Sequence, residues 1–335
     1  MKKRAVADVV VFGEAIWDFF PRKLGEALAT RRHEVRHPGG APANVARTLS
    51  RLGVATSLVT AVGRDALGDG LLAELQATGV RVDDVARLTS RTAVTFVDVG
   101  RKGERSFLFY RHPSADMEFA EAMLPLHPFE GSWLHVGTST HAREPSCTAT
   151  RMIIERANGA GARLSVDLNV RRHLWPSPRE LTSCVDRLVA RADMLKVSEE
   201  DLAALELPAD LAGARKLHAR RRDRVTFLTL AAEGAIGFWG DLEVRVRAPR
   251  AKVVDVTGAG DAFTAGALAV LVRTRAFDAP QGDREALLRR ALGIGCELGT
   301  RAVTRLGATS ALTSLTAVAR RAQAPLAAPG TKRHR

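Results

Sequence analysis

The sequence predicts an α/β fold: a doubly wound, mostly parallel sheet with helices on both faces and a small antiparallel β lid. Short apolar runs alternate with amphipathic segments along most of the 335 residues. Strands buried on both faces give such runs, and the helices between them provide the crossover connections of a parallel sheet. Hydrophobic residues make up 46% of the chain, which is enough for one large domain with an elaboration.

The alternation assigns the elements in chain order. Strands are predicted over 9–12, 56–62, 133–136, 163–167, 194–197 and 225–230. Helices are predicted where apolar side chains recur every three or four residues, over 43–52, 67–78, 148–157 and 178–190. The first two helices end before Gly53 and Gly79, the residue type that most often follows a helix. A further apolar strand, 253–256, is expected to lead through a glycine turn into another helix.

Two regions interrupt this rhythm and predict the lid. They are 30–37, and the pair 92–99 and 104–110 joined by the turn 100–103, so the lid segments cover about 14–38 and 91–112. A hairpin beside a parallel sheet suits a flap that closes over a small substrate, and an ordinary edge hairpin is the alternative. One domain is expected over 6–320, followed by a disordered basic tail over 321–335.

The net charge of +13 does not indicate a nucleic-acid-binding protein. Only eight of the fifty basic residues are lysine, the arginines are scattered, and the basic clusters at 220–222 and 332–335 lack interleaved aromatic residues. An anionic substrate accounts for some of the charge equally well. No apolar run is long enough for a membrane span. Three distant cysteines, Cys147, Cys184 and Cys296, suggest reduced thiols and therefore a cytoplasmic protein.

The segment 253–261 (Val-Val-Asp-Val-Thr-Gly-Ala-Gly-Asp) predicts a phosphate site with its own base. Gly258 and Gly260 allow a tight turn, and the amides of Gly258, Ala259 and Gly260 at the helix start can hold an anion. Asp261 would repel a phosphate, but it can take a proton from a hydroxyl that attacks phosphorus. Simple helix capping by Asp261 is the alternative.

Three motifs occur in a characteristic order: 13–18 (Gly-Glu-Ala-Ile-Trp-Asp), 39–46 (Gly-Gly-Ala-Pro-Ala-Asn-Val-Ala) and 257–261 (Thr-Gly-Ala-Gly-Asp). Together they resemble the ribokinase-like (PfkB) family of carbohydrate kinases, over nearly the whole chain. The second motif, with 167–171 (Asp-Leu-Asn-Val-Arg) and the following Leu174 and Trp175, is most similar to bacterial fructokinases. The resemblance implies an enzyme that transfers phosphate from ATP to a sugar hydroxyl, with fructose as the expected sugar. It also implies Mg²⁺ as a cofactor and a binding site for K⁺.

On the sugar side, the resemblance implies a set of substrate-binding residues: Asp18, Gly39, Gly40, Asn44, Arg111 and Asp261. A carboxylate at the carboxyl edge of the sheet can accept two hydroxyls, the glycines allow close approach of the backbone, and an asparagine can donate and accept. The alternatives assign no ligand to these residues. Asp18 would be an ordinary exposed aspartate, the 39–44 segment a turn with an N-terminal helix cap, and Arg111 an exposed strand arginine.

On the nucleotide side, the resemblance implies ATP contacts from Arg171, Ser198, Thr229, Glu233, Gly234, Gly258 and Gly260. Asp167, Asn169, Glu200 and Asp201 are expected to hold Mg²⁺ through water. Ala231 stands where the family has glycine, and Ser198 and Asp201 replace the asparagine and glutamate of a metal-associated motif. Glu199 and Glu200 are equally well explained as first-turn acids that complement a helix dipole.

The segment 305–310 resembles the loop that, with Asp255 and Thr257, forms a monovalent-cation site. Acceptors other than fructose remain open, among them 2-keto-3-deoxygluconate, ribose and a nucleoside, as does a non-catalytic sugar sensor. A dinucleotide-dependent oxidoreductase is disfavoured, because Phe263 occupies the third small position of the Gly-x-Gly-x-x-Gly fingerprint. The resemblance also suggests a homodimer through the lid strands.

Overall fold

The strands and helices are described by a computed structural model over residues 7–325, apart from 24, 100–104, 126–128 and 130–131. The strands are β1 Val9–Phe12, β2 Ile16–Pro21, β3 Glu34–Gly39, β4 Thr56–Gly63, β5 Val85–Leu88, β6 Val94–Val99, β7 Arg105–Tyr110, β8 Trp133–Val136, β9 Arg163–Asp167, β10 Met194–Ser198, β11 Val225–Thr229, β12 Ala235–Trp239 and β13 Leu242–Val246. The helices are α1 Ala41–Arg51, α2 Ala66–Ala77, α3 Ser146–Gly159, α4 Pro178–Arg191, α5 Glu199–Ala204, α6 Leu211–Ala219, α7 Ala259–Arg273, α8 Arg284–Ala302 and α9 Thr316–Gln323.

The main sheet has the strand order β13-β12-β11-β10-β9-β8-β1-β4-β5. The strands from β11 to β5 are parallel, and β12 and β13 extend one edge as an antiparallel hairpin. All six predicted strands before residue 231 are present, and the four predicted helices begin and end within two residues of the observed bounds. The doubly wound α/β fold is therefore confirmed.

Each face of this sheet has its own core. Helices α1, α2, α7, α8 and α9 contribute apolar side chains to one core, and α3, α4, α5 and α6 contribute to the other. Helix α7 lies deepest, since every residue from Asp261 to Leu271 is buried. A helix that is apolar on nearly all sides, as the sequence Ala-Phe-Thr-Ala-Gly-Ala-Leu is here, is buried on all sides in the fold.

The lid is a second sheet with the order β3-β2-β6-β7. It consists of two antiparallel pairs, β2 with β3 and β6 with β7, joined by a parallel pairing of β2 with β6. The predicted lid segments supply all four strands, although β3 begins at Glu34 and not at residue 30. The predicted turn 100–103 lies outside the described residues.

Two expectations at the C-terminal end were wrong. Residues 253–256 do not form a strand: the amides of Val254 and Asp255 both donate to the carbonyl of Val303, and Val253, Val254 and Val256 are exposed. Apolar composition indicates a strand only where a neighbouring strand is present to pair with. Helix α9 runs three residues past the expected domain boundary at 320, because Ala322 is buried in the core.

Within the described part of the chain, no helix combines the length and the apolar character that crossing a membrane requires. The three cysteines are free thiols, with Cys184 and Cys296 buried and Cys147 partly exposed.

Candidate active site

The first turn of helix α7 lies at the centre of the site. Gly258 precedes the helix with φ of 76°, in the left-handed region, and a Cβ there would lie 2.8 Å from the carbonyl oxygen of Ala308. Glycine is required on both counts. The amide of Ala259 makes a long hydrogen bond of 3.3 Å to the carbonyl of Val256. The amides of Gly260 and Asp261 have no acceptor within the helix ladder, so the turn presents hydrogen-bond donors and the positive end of the helix dipole.

Asp261 is buried in this first turn, and its Oδ2 accepts a hydrogen bond of 2.9 Å from Asn44 Nδ2. Burial raises the pKa of Asp261 to about 7, with Asp167 adding to the rise, while Asn44, Lys196 and Arg171 oppose it. A carboxylate with a pKa near neutral pH is suited to act as a general base. The bond to Asn44 fixes Oδ2, and among the described residues no hydrogen bond is seen at Oδ1, the oxygen that could receive a substrate hydroxyl.

A second buried carboxylate, Asp18 of β2, lies close by. Burial raises its pKa to about 7, and the negative charges of Asp261, Asp255 and Glu14 add to the rise. The backbone of β3 at Gly39 packs directly against the Asp18 carboxylate. Any larger residue would be excluded there, because a Cβ at Gly39 would overlap that carboxylate. Gly40 has φ of 92°, and a Cβ there would lie 2.5 Å from the carbonyl oxygen of Glu14.

Five of the residues expected on the sugar side lie together: Asp18, Gly39, Gly40 and Asn44 come from one part of the sequence, and Asp261 contacts Asn44 although it is 217 residues away. A narrow cleft at the carboxyl ends of main-sheet strands brings Asp261 together with residues at or just after the ends of β1, β8 and β9 and with the start of α1, namely Glu14, Pro42, His135, Ser139, Asp167 and Asn169.

Arg111 is neither an exposed strand arginine nor a free ligand for substrate. It is buried at the end of β7, where its Nε donates to Asp116 at 2.7 Å and its Nη2 to Glu14 at 3.3 Å. Ser139 donates to the same Glu14 oxygen at 2.5 Å. Although burial favours the protonated acid, Arg111 and Ser139 hold the pKa of Glu14 below its usual value. The arginine thus joins the end of the lid to the wall of the cleft.

Asp167, at the end of β9, occupies the nucleotide side of the cleft. Its Oδ2 accepts from Thr264 Oγ1 of helix α7 at 2.8 Å, and its Oδ1 lies 3.1 Å from Lys196 Nζ. Burial raises the pKa of Asp167, and Lys196 opposes the rise. Asn169 follows with φ of 36°, a conformation that asparagine tolerates better than most residues.

Lys196 is a site residue that the sequence analysis missed. Its ammonium is buried on β10 between Asp167 at 3.1 Å and Asp201 at 4.0 Å, and a Cβ at Gly260 would lie 3.2 Å from it. It therefore lies against the first turn of α7. The signal was present, because a lysine within the apolar run 194–197 is expected to have a buried partner.

Asp201 does not fit the metal role expected of it. Its Oδ1 accepts from the amide of Val170 at 2.7 Å, and its Oδ2 accepts from both the amide and the hydroxyl of Ser198. Ser198 in turn caps helix α5, so the pair forms a capping box. Both carboxylate oxygens are occupied by the chain itself. Glu199 and Glu200 are exposed in the first turn of α5, as the helix-dipole alternative predicts.

The remaining nucleotide-side residues lie along the carboxyl edge of the sheet. Thr229 ends β11 opposite Ser198, and Ala231 has φ of 46° in place of the glycine that this left-handed position favours. Gly234 has φ of 104°, and a Cβ there would lie 2.1 Å from the carbonyl oxygen of Val246. Glu233 is exposed and pairs with Arg245 at 2.6 Å. Arg171 is exposed, near enough to Asp261 to lower its pKa.

Asp255 organises the segment before α7. Its Oδ1 accepts from the amide of Thr257 at 2.8 Å and its Oδ2 from the amide of Gly307 at 2.7 Å. The carboxylate thus ties the 305–310 loop to the start of the helix. Among the described residues, no group of three or more histidine, cysteine, aspartate or glutamate side chains could hold a metal ion by itself.

The replacement Asp18→Asn is expected to stabilise the protein at high pH. The native carboxyl keeps its proton up to about pH 7, whereas the unfolded one loses it near 3.8, so the unfolding free energy of the wild type falls as pH rises between these values. Asparagine has no such dependence. We expect the variant to be more stable by about 1–4 kcal/mol at pH 8, and the gain to shrink toward pH 4.

Urea unfolding at several pH values measures this difference. Asp241→Asn, which changes an exposed carboxylate of the β12–β13 turn that pairs with Arg222, is the matched control for removal of one acidic group. A gain in stability that does not depend on pH would contradict the assigned shift.

Arg111→Met is expected to destabilise the fold, because it leaves Glu14 and Asp116 buried without their cation. Loss of one partner of a buried ion pair costs about 3–5 kcal/mol. The exposed Arg215, paired with Glu243, provides the control: Arg215→Met should cost about 1 kcal/mol or less. Equal unfolding free energies for the two variants in urea would show that the Arg111 network does not support the fold.

Comparison with known proteins agrees with this geometry. A family model described as "pfkB family carbohydrate kinase" matches residues 6–315. A fructokinase of Klebsiella pneumoniae is 37% identical over 311 residues, covering 90% of this chain and 95% of the relative.

Two solved structures are also similar. The aminoimidazole riboside kinase of Salmonella enterica, complexed with aminoimidazole riboside and an ATP analog, has a TM-score of 0.81 at 30% identity, covering 94% of this chain and 99% of the other. The fructokinase of Vibrio cholerae O395, in its fructose, ADP and calcium ion bound form, has a TM-score of 0.81 at 31% identity, covering 92% and 96%. By sequence, fold and extent of the match, the chain belongs to the pfkB family of carbohydrate kinases.

Proposed function

We propose that this carbohydrate kinase transfers the terminal phosphoryl group of ATP to a hydroxyl of fructose. The observation that carries the proposal is Asp261, a buried carboxylate with a pKa near neutral pH in the first turn of a buried helix. The names of the similar proteins support fructose as the acceptor and ATP as the donor.

In the proposed mechanism, Asp261 takes the proton of the attacking hydroxyl through the oxygen that Asn44 leaves free. Asp18 and Asn44 orient the sugar by accepting and donating hydrogen bonds. The first-turn amides of Ala259, Gly260 and Asp261, after the turn at Gly258, hold the charge that develops on the phosphoryl oxygens. Lys196 balances the carboxylates beneath this turn, and Arg171 binds phosphate oxygens from the exposed side.

Asp167 and Asn169 fit a role in holding Mg²⁺ through water. Both line the cleft, and within the described residues Asp167 Oδ1 accepts no hydrogen bond with good geometry, although Lys196 lies 3.1 Å away. The ion would supply positive charge to the transferred phosphoryl group. Asp201 is excluded from the proposal because its two oxygens are engaged, and Glu200 keeps only the helix-dipole role.

We place a monovalent cation, K⁺, beside the 305–310 loop. Asp255 fits as the residue that shapes this site, since it holds the amides of Thr257 and Gly307. Backbone carbonyls would be its main ligands, as expected for an alkali cation.

The rival acceptors differ in what the lid must offer them. A carboxylated sugar such as 2-keto-3-deoxygluconate needs a free cation, but Arg111 is committed to Glu14 and Asp116. The lid segment also contains Arg101 and Arg105, so a carboxylated acceptor is tested beside the neutral ones. Ribose, a nucleoside and aminoimidazole riboside are neutral and stay in the test. A sensor without turnover would have no need for a base of neutral pKa.

A cytoplasmic location remains a prediction from the free cysteines.

Asp261→Asn is expected to slow turnover by about 10²–10⁴-fold, the range for loss of a general base. ADP release is measured with ATP and Mg²⁺ on fructose, ribose, 2-keto-3-deoxygluconate, adenosine and aminoimidazole riboside. Asp241→Asn is the control that changes an exposed carboxylate. Near-normal turnover of the Asp261 variant would overturn the assignment of the base, and turnover on another acceptor would replace fructose. No turnover on any acceptor would favour the sensor.

We further propose that two copies of the chain pair through the outer face of the lid. This face has the aromatic cluster Phe19, Phe96 and Tyr110, together with Leu108. Leu108 is 45% exposed and Tyr110 is 61% exposed. Apolar side chains gathered on one exposed face indicate an interaction surface.

Leu108→Asp is expected to convert the dimer to a monomer, measured by light scattering after size-exclusion chromatography. Phe107→Asp is the matched control, since Phe107 is also 45% exposed but lies on the opposite face of β7. A dimer that survives Leu108→Asp, or a wild type that is monomeric, would exclude pairing through this face.

A further inference from the structure

A second, larger cavity lies outside the active-site cleft. It has a volume of about 420 Å³ and is bounded by β3, α1, α2 and the loop that contains Thr309. The two cavities have no lining residue in common. Neither the sugar-binding nor the nucleotide-binding residues proposed above contribute to it.

The cavity is strongly cationic. Arg36, Arg47 and Arg51 line it, and Glu74 is the acidic residue of the lining. Glu74 lies 3.9 Å from Arg47 and is half exposed, so one screened carboxylate faces three guanidinium groups. Burial, and then the neighbouring Arg51, lower the pKa of Arg47 to about 10. The surroundings therefore disfavour the positive charge that Arg47 carries.

Two buried nitrogen atoms at this cavity lack a partner among the described residues. Arg47 is 95% buried; its Nη1 donates to Thr309 Oγ1 at 2.6 Å, but its Nε donates to nothing. His37 contacts Ser310 Oγ through Nδ1 at 3.3 Å, while its Nε2 is buried without a partner. When the serine donates to Nδ1, the proton lies on Nε2. Buried donors of this kind are normally satisfied.

We propose that this cavity is a binding site for a phosphate-class dianion, either inorganic phosphate or the phosphate group of a small metabolite. Guanidinium groups bind phosphate oxygens through paired N–H donors, and a dianion would offset the excess charge of the three arginines. The unpartnered Nε of Arg47 and Nε2 of His37 lie behind this surface, so the exposed guanidinium atoms of the lining, and not these two nitrogens, would contact the anion.

The proposed anion site is separate from the cleft, but hydrogen bonds connect its arginines to the residues that precede helix α7. Arg47 holds the side chain of Thr309, and Arg51 Nη1 donates to the carbonyl of the same residue at 3.0 Å. This loop continues to Gly307, whose amide binds Asp255 before α7. Helix α1, which carries both arginines, also carries Asn44, the partner of Asp261. A bound anion would contact the residues that position this loop.

Ala73→Glu tests the proposal without removing any arginine. Ala73 is an exposed α2 residue of the cavity lining, so a glutamate there places a carboxylate beside the arginines at little cost to the helix. Gln76→Glu adds one negative charge at an exposed position of the same helix outside the lining and is the matched control. Calorimetric titration with inorganic phosphate, at constant ionic strength in chloride, measures affinity, and the thermal midpoint of each variant checks its folding.

We expect saturable phosphate binding by the wild type and Gln76→Glu, and at least a tenfold loss of affinity in Ala73→Glu. The double variant Arg36→Gln/Arg51→Gln should lose binding similarly, whereas Arg179→Gln/Arg187→Gln, a pair of exposed arginines on α4 across the sheet, should not. Equal binding in Ala73→Glu and Gln76→Glu would place the anion elsewhere, and no binding by the wild type would also overturn the proposal. Tighter binding of glycerol 3-phosphate than of phosphate would identify a metabolite as the ligand, and the reverse would identify free phosphate.

Discussion

Desolvation of carboxylates around the first turn of helix α7 is the constraint on which the site depends. Asp18, Asp167 and Asp261 are all buried there, and burial is the largest cause of the raised pKa of each. Several buried acids of like charge are tolerated only where nearby positive charge and donors offset them. The helix dipole, Asn44 and Lys196 supply that offset, so the architecture maintains a carboxylate near neutral pKa at the place where an anion would bind.

Lys196 and Thr264 explain how the sheet and helix α7 maintain this arrangement. Thr264 of helix α7 donates to one oxygen of Asp167, and the ammonium of Lys196 on strand β10 lies 3.1 Å from the other. Asp201 faces the same lysine while it caps helix α5. The polar groups under the first turn thus form one connected network, and the position of Asp261 relative to the strand ends follows from it. A buried network of this kind is useful only when each member has a partner.

The lid is coupled to the body of the domain through charge as well as through packing. Arg111 at the end of β7 is bound to Glu14, which lies between β1 and β2 and also accepts from Ser139. Phe20 and Val97 add a small apolar contact of the lid with Leu306. The inner lid surface is therefore anchored to the cleft, while the outer surface leaves Leu108 and Tyr110 exposed. The outer surface is the one proposed for pairing of subunits.

Local sequence determined the parts of this protein whose physics is local. Apolar runs located β1, β4, β8, β9, β10 and β11, and helical periodicity located α1, α2, α3 and α4. The glycine turn located the start of α7 with Asp261 in its first turn. Gly39 and Gly40 were expected from a motif that resembles a known family, and the structure adds a reason for them, because a Cβ at either would overlap Asp18 or Glu14. Tertiary structure decided what depends on distant partners. In the folded protein Arg111 is buried between Glu14 and Asp116, and Asp201 forms a capping box with Ser198. Tertiary structure also brought Lys196 beneath α7 and left 253–256 without a strand to pair with. The raised pKa of Asp261 belongs to the same group, because desolvation exists only once the surrounding elements have assembled.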